Sequence, residues 1–150
     1  MAQTNVLVVE DESIVSKDIQ HSLKKLGYNV VGAANTGDLA VSLALEHMPD
    51  IILMDIMLKG EMSGIEAATR IRAEANIPVI FLTAYADEST LNKAKVTQPY
   101  GYIIKPFKEI DIHTTIEMAL YKHKKEAEVL KERDLLFNLV KDRATTRRFF

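Results

Sequence analysis

The chain has no cysteine in its 150 residues, so neither a disulfide nor a thiolate metal centre can hold it, and a reducing compartment is compatible with that absence. The opening MAQTN has no basic stretch before an apolar one, and no apolar run approaches the ~18 residues of a membrane span. There is no Gly-rich GK[ST] loop, which excludes a P-loop nucleotide enzyme. These absences lead to the expectation of a cytoplasmic protein without a membrane partner. What remains is ordinary for a globular protein: 47% apolar and 27% charged residues, enough chain for one domain with a short appendage. The net charge of −2 hides an asymmetry. Residues 1–120 carry ten Lys or Arg against sixteen Asp or Glu, whereas residues 121–150 carry nine against five.

The stretch Asp50-Ile51-Ile52-Leu53-Met54-Asp55 places four apolar residues between two acids. A short apolar run bounded by polar turn residues fits a strand buried on both faces, with Asp55 at its carboxyl end. An Asp there is more often a turn or capping residue than a nucleophile, so its meaning depends on its neighbours. Asn5 to Val9 reads as strand 1, closed by Glu10-Asp11-Glu12. Val15, Ile19, Leu23 and Leu26 follow at helical spacing up to Gly27. Tyr28 to Ala33 reads as strand 2, and Thr36 as the cap of a helix with Leu39, Leu43 and Ala44 inward, ended by Pro49. After strand 3, Ser63-Gly64-Ile65-Glu66 has the spacing of a capping box for a helix through Ala75. Pro78 to Leu82 gives strand 4, Asp87 or Ser89 opens a helix to about Val96, and Tyr100 to Ile104 gives strand 5. The last helix has no stop before about residue 140.

Five alternations of strand and helix predict an α/β fold, a doubly wound parallel sheet covered on both faces, with an extended C-terminal helix. In the common order 2-1-3-4-5 the winding reverses between strands 1 and 3, and the crevice at that point is where ligands bind. Glu10, Asp11 and Asp55 converge on it. At ~4 Å and an effective dielectric near 20, each pair of charges costs on the order of 4 kcal/mol, so the site calls for a cation or a raised pKa. Carboxylates without His or Cys point to Mg²⁺. Thr83 ends strand 4 and Lys105 ends strand 5, where a hydroxyl and an ammonium can reach an anion at Asp55. Metal, carboxylate, hydroxyl and ammonium together are what phosphoryl transfer to a nucleophilic carboxylate requires.

Residues 5 to about 121 resemble the receiver domain of two-component response regulators. The motifs are VLVVEDE, DIILMD, FLTA and YGYIIKPF, with 22 residues from Thr83 to Lys105. The resemblance implies a flavodoxin-like (βα)5 fold over 1–121, followed by a helical extension or linker over 122–150. It implies that Asp55 accepts a phosphoryl group from the phosphohistidine of a histidine kinase or phosphotransfer protein. Asp11, Asp55 and the carbonyl of Met57 would bind Mg²⁺, with Glu10 assisting through water. Thr83 and Lys105 would hold the phosphoryl oxygens, Lys105-Pro106 would be cis, and Tyr102 would swing with Thr83. Such a protein catalyses its own phosphorylation and dephosphorylation and is not a turnover enzyme. The chain departs from the family where Leu58-Lys59-Gly60 replaces the usual Met-Pro turn and Gly64 follows Asp55 by nine residues instead of eight. Its first acid is Glu10 where Asp is commoner.

Other readings meet further absences. A flavin module would need a Ser/Thr/Gly-rich loop after strand 1, and a haloacid-dehalogenase-type phosphatase a second Asp where Met57 stands. The alternatives that remain are a receiver module of a larger sensor or hybrid kinase and a docking receiver that is not phosphorylated. About 30 residues after position 121 are too few for a helix-turn-helix module, so no direct nucleic-acid contact is expected. Two apolar rows compete along them, one of Leu120, Ala127, Leu130 and Phe137, the other of Val129, Leu136 and Leu139 or Val140. Either is a short coiled-coil signal, consistent with a homodimer through helix 4, strand 5, helix 5 and the extension.

Overall fold

A computed structural model describes residues 3–84 and 88–147, with side chains as far as Lys141. The elements run β1 (Asn5–Val9), α1 (Ser13–Lys25), β2 (Asn29–Ala34), α2 (Gly37–His47), β3 (Ile51–Asp55), α3 (Gly64–Glu74), β4 (Val79–Thr83), α4 (Glu88–Val96), β5 (Gly101–Ile104) and α5 (Glu109–Arg147). The strands are all parallel, in the order β2-β1-β3-β4-β5. The chain is therefore the doubly wound α/β fold that the alternation of elements predicts.

Period-two alternation in the central strands divides the core. Leu7, Val9, Ile52, Met54 and Phe81 pack on one face with residues of α2, α3 and α4, including Ala40, Ala67, Ile71 and Ala94. Val6, Val8, Ile51, Leu53, Ile80 and Leu82 pack on the other with Ile19 and Leu23 of α1 and Ile112, Ile116 and Ala119 of α5. Every residue of β3 and β4 is buried, which is why these strands read as unbroken apolar runs and not as polar-apolar alternation.

The turn chemistry is local and legible. Gly27, at φ +96°, follows α1; Thr36 caps α2 by accepting from the Leu39 amide; Ser63 caps α3 by accepting from the Glu66 amide. The inner face of α2 needs correction. Leu39 is 41% exposed and Leu43 only partly buried, while Gly37, Ala40 and Ala44 face inward. Small residues bring α2 close to the sheet and α3, and the larger leucine one position away turns outward. Strands 4 and 5 begin one residue later than the sequence suggests, at Val79 and Gly101, and strand 2 spans Asn29–Ala34 instead of 28–33. Asp87, one of two expected starts of α4, lies outside the described residues.

The chain divides into two compact units, one ending at Leu120 and the other beginning at Tyr121. Helix α5 extends to Arg147, past the expected 140, since no proline or glycine follows Pro106. No helix among the described residues is long and apolar enough to cross a membrane.

Candidate functional site

Register sets the site. Val9 pairs with Met54, so Glu10 and Asp55, the next residues, leave adjacent strands together; Asp55 pairs with Leu82 and Thr83 with Ile104. All the predicted groups therefore emerge at the carboxyl edge of the sheet. Carboxylate oxygens of Glu10, Asp11 and Asp55 lie within 4.8 Å of one another. Glu10 is 1% exposed and Asp55 7%, both among apolar strand residues.

Each acid is held by its own partners. Asp55 Oδ1 accepts from the Met57 amide at 3.0 Å, and Oδ2 accepts from Lys105 Nζ at 3.0 Å. Glu10 Oε2 accepts from the same Nζ at 2.8 Å, while Oε1 takes the Glu12 amide at 3.3 Å. Asp11 Oδ2 accepts from the Lys59 amide at 2.9 Å. Sequence reasoning asked for either a cation or a raised pKa to relieve the crowded acids; the structure sets the Lys105 ammonium between Glu10 and Asp55 and raises the pKa of Glu10. Burial and the neighbouring Asp55 outweigh the Lys105 contact and push the Glu10 carboxyl up to about 7. For Lys105 the balance is opposite: burial alone would lower its ammonium, but the two carboxylates hold it above the usual lysine range.

The remaining predicted residues fall in the same region. Thr83 is 3% exposed, and its carbonyl accepts from the Lys105 amide at 2.8 Å. The Lys105-Pro106 peptide is cis. Met57 brings its amide to Asp55 but leaves its side chain 69% exposed. Tyr102 pairs with Phe81 across the strands, ring centroids 6.2 Å apart, with its hydroxyl buried and, among the described residues, without a hydrogen-bond partner.

Two features were not read from the sequence. One is the double engagement of Lys105, which bridges Glu10 and Asp55; the crowding of acids was the signal for it. The other is the Lys59 amide, which turns the variant Leu58-Lys59-Gly60 loop back onto Asp11 with Gly60 at φ +102°. The extra residue before Gly64 is accommodated as well. The Gly64 amide donates to the Ile56 carbonyl at 2.9 Å, and a Cβ on Gly64 would stand 2.0 Å from the Asp55 carbonyl oxygen. That glycine is required by close approach.

The donor set suits a hard divalent cation. Three carboxylates without imidazole or thiolate, within a span close to the ~4.2 Å between opposite ligands of an ion bound at ~2.1 Å, fit Mg²⁺ better than a softer metal.

Comparison with known proteins agrees with this geometry. The profile of the response regulator receiver domain matches residues 6–117. The chain is 35% identical over 115 residues to the transcriptional regulatory protein PdtaR of Mycobacterium tuberculosis, covering 77% of this chain and 56% of that one. It is 34% identical over 119 residues to the phyllosphere-induced regulator PhyR of Methylorubrum extorquens, covering 79% and 44%. Among solved structures it is similar to the signal receiver domain of a modulated diguanylate cyclase from Desulfovibrio desulfuricans G20, with a TM-score of 0.80 and 41% identity over 83% of this chain and 99% of that one. The chain spans about half the length of the curated relatives it matches. With the family profile over most of its length and the fold and edge residues in register, the chain belongs to the response regulator receiver domain family.

Proposed function

We propose that this receiver accepts a phosphoryl group on Asp55 from the phosphohistidine of a histidine kinase or phosphotransfer protein, and that the modification switches a partner surface. The observation that carries the reading is the convergence of Glu10, Asp11 and Asp55 within 4.8 Å, with Lys105 Nζ 3.0 Å from Asp55. In the transfer, an Asp55 carboxylate oxygen attacks phosphorus in line; the new O–P bond forms as the P–N bond to the donor imidazole breaks, and that electron pair returns to the imidazole, which takes up a proton. Bound by Asp11, Asp55 and the Met57 carbonyl, Mg²⁺ would supply neutralisation of phosphoryl oxygens. The Met57 amide fixes the attacking carboxylate. Lys105 exchanges its contact with Asp55 for a phosphoryl oxygen while its tie to Glu10 keeps it in place. Thr83, at the end of the intervening strand, donates to a second oxygen. The chain then acts as a self-modifying acceptor and not as a turnover enzyme.

The switch would run from Thr83 to Tyr102 and so to the surface of α4, β5 and α5. The Tyr102 hydroxyl, buried and without a partner among the described residues, supports it, since a buried phenol so placed gains by moving to one. Incubation with Mg²⁺ and acetyl phosphate or phosphoramidate should add one acid-stable, base-labile phosphoryl group, read by intact mass. The label should be lost in EDTA and in Asp55→Asn; equal labelling of wild type and variant would sink the assignment.

A further inference from the structure

The three acids of the site are not held alike. Glu10 and Asp55 share Lys105, and each also takes the amide two residues on, from Glu12 and from Met57. Asp11 has neither support. Among the described residues its carboxylate has one hydrogen bond and no ion pair, and the donor is the Lys59 amide, 2.9 Å from Oδ2. The loop that presents this amide is closed on itself. Its ends meet where the Gly64 amide donates to the Ile56 carbonyl at 2.9 Å, Ile56 and Met62 are buried within it, and Leu58 packs on the same cluster. Past Lys59 the chain turns through Gly60 at φ +102°, where an added Cβ would meet nothing within 4 Å. That glycine answers a backbone requirement and not a lack of space. The usual Met-Pro turn includes a residue without an N–H, whereas Leu58-Lys59-Gly60 has a donor at every position.

We infer that the Lys59 amide is a positioning group for Asp11: it fixes Oδ2 so that the other oxygen is left to a divalent cation, and Gly60 is the residue that allows it. The inference rests on reading Glu10, Asp11 and Asp55 as a cation site. A half-buried carboxylate free to turn must give up that freedom when it ligates, and a donor that fixes its rotamer beforehand removes the cost from binding. An amide hydrogen bond to an ionised carboxylate is a strong one for this purpose. It also orients Asp11 without placing a full positive charge beside the cation. The Lys59 side chain is exposed, so the group that matters is backbone, and any residue but proline would supply it. Partners of this kind behind a metal ligand typically account for roughly 10- to 100-fold in affinity, and the lower end suits a hydrogen bond exposed to water. The coupling is reciprocal: with Asp11 engaged by a cation, the Lys59 amide should exchange more slowly with solvent.

Calorimetric titration of the unphosphorylated full chain with Mg²⁺, repeated with Mn²⁺ by electron paramagnetic resonance, tests it. Lys59→Pro deletes the donor, and Gly60→Ala strains the turn without a clash; each should weaken cation binding by about tenfold. Ser63→Ala, which removes the α3 cap at the far end of the same loop, should lower stability yet leave cation affinity within about twofold of wild type. Circular dichroism and urea melts show whether each variant folds, and if Lys59→Pro does not, Gly60→Ala carries the test. Hydrogen exchange followed by NMR should find the Lys59 amide protected in wild type, more so with Mg²⁺, and less protected in Gly60→Ala. Wild type binding the cation no more tightly than Asp11→Asn would overturn the cation site and the inference with it. Where wild type does exceed Asp11→Asn, unchanged affinity in the folded Lys59 and Gly60 variants, or an equal loss in Ser63→Ala, would overturn the inference alone.

Discussion

Lys105 carries two carboxylates at once, and this makes the metal-free site a compromise among buried charges. Glu10 is its weak point. With a carboxyl at about 7 in the folded chain against 4.5 as the ordinary value, the folded state binds the proton more tightly than the unfolded state. Its contribution to stability is fully present below about pH 4.5 and is lost as pH rises through about 7. Urea melts in EDTA should therefore show wild type losing stability relative to Glu10→Gln between pH 5 and pH 8, on the order of 1–3 kcal/mol. A constant difference would contradict the assignment of the shift to Glu10. Asp11→Asn should stabilise the metal-free protein by on the order of 1 kcal/mol and reduce its stabilisation by Mg²⁺, because the amide can still accept from Lys59 while removing a charge. An Asp11 needed only to hold its loop would lose stability instead.

At the scale of elements, capping and close approach separate cleanly around α3. Ser63→Ala removes the cap on Glu66 and should cost about 1 kcal/mol in a urea melt, with acceptor chemistry unaffected. Gly64→Ala drives a methyl into the Asp55 carbonyl and should cost 2 kcal/mol or more while slowing phosphoryl labelling, since it displaces the strand end that carries the acceptor. Similar losses in the two variants would contradict the role given to Gly64. These elements also show what was legible. Strands β3 and β4, the Thr36 and Ser63 caps and the acids at the strand ends follow from patterns within a few residues. The outward turn of Leu39 does not, because it depends on how closely α2 approaches the sheet and α3. Nor does the Lys59 amide on Asp11: 48 residues separate them, and the contact is made by backbone, which leaves no trace in side-chain type.

For the molecule as a whole, the acid cluster at the sheet edge and the exposed apolar side chains of α5 belong to one chain. If phosphorylation alters the surface of α4, β5 and α5, and two copies pair weakly through it, that pairing is well placed to respond, because a modest input shifts an equilibrium near balance. Beryllofluoride with Mg²⁺, which mimics the phosphoryl group on a carboxylate, should then raise dimer affinity in sedimentation velocity at tens of micromolar; a chain ending at Tyr121 should lose part of that gain. Identical sedimentation with and without beryllofluoride would uncouple the two. The proposed switch stands on the identity of the acceptor, and chemistry can report it directly. Borohydride reduces an aspartyl phosphate to homoserine while leaving free carboxylates untouched, so the modified residue can be located by peptide mapping. After treatment with acetyl phosphate and Mg²⁺, the reduced residue should be found at position 55 alone. Reduction at Glu10, at Asp11 or at no position, with intact mass confirming that the phosphodonor had been active on a control receiver, would contradict it.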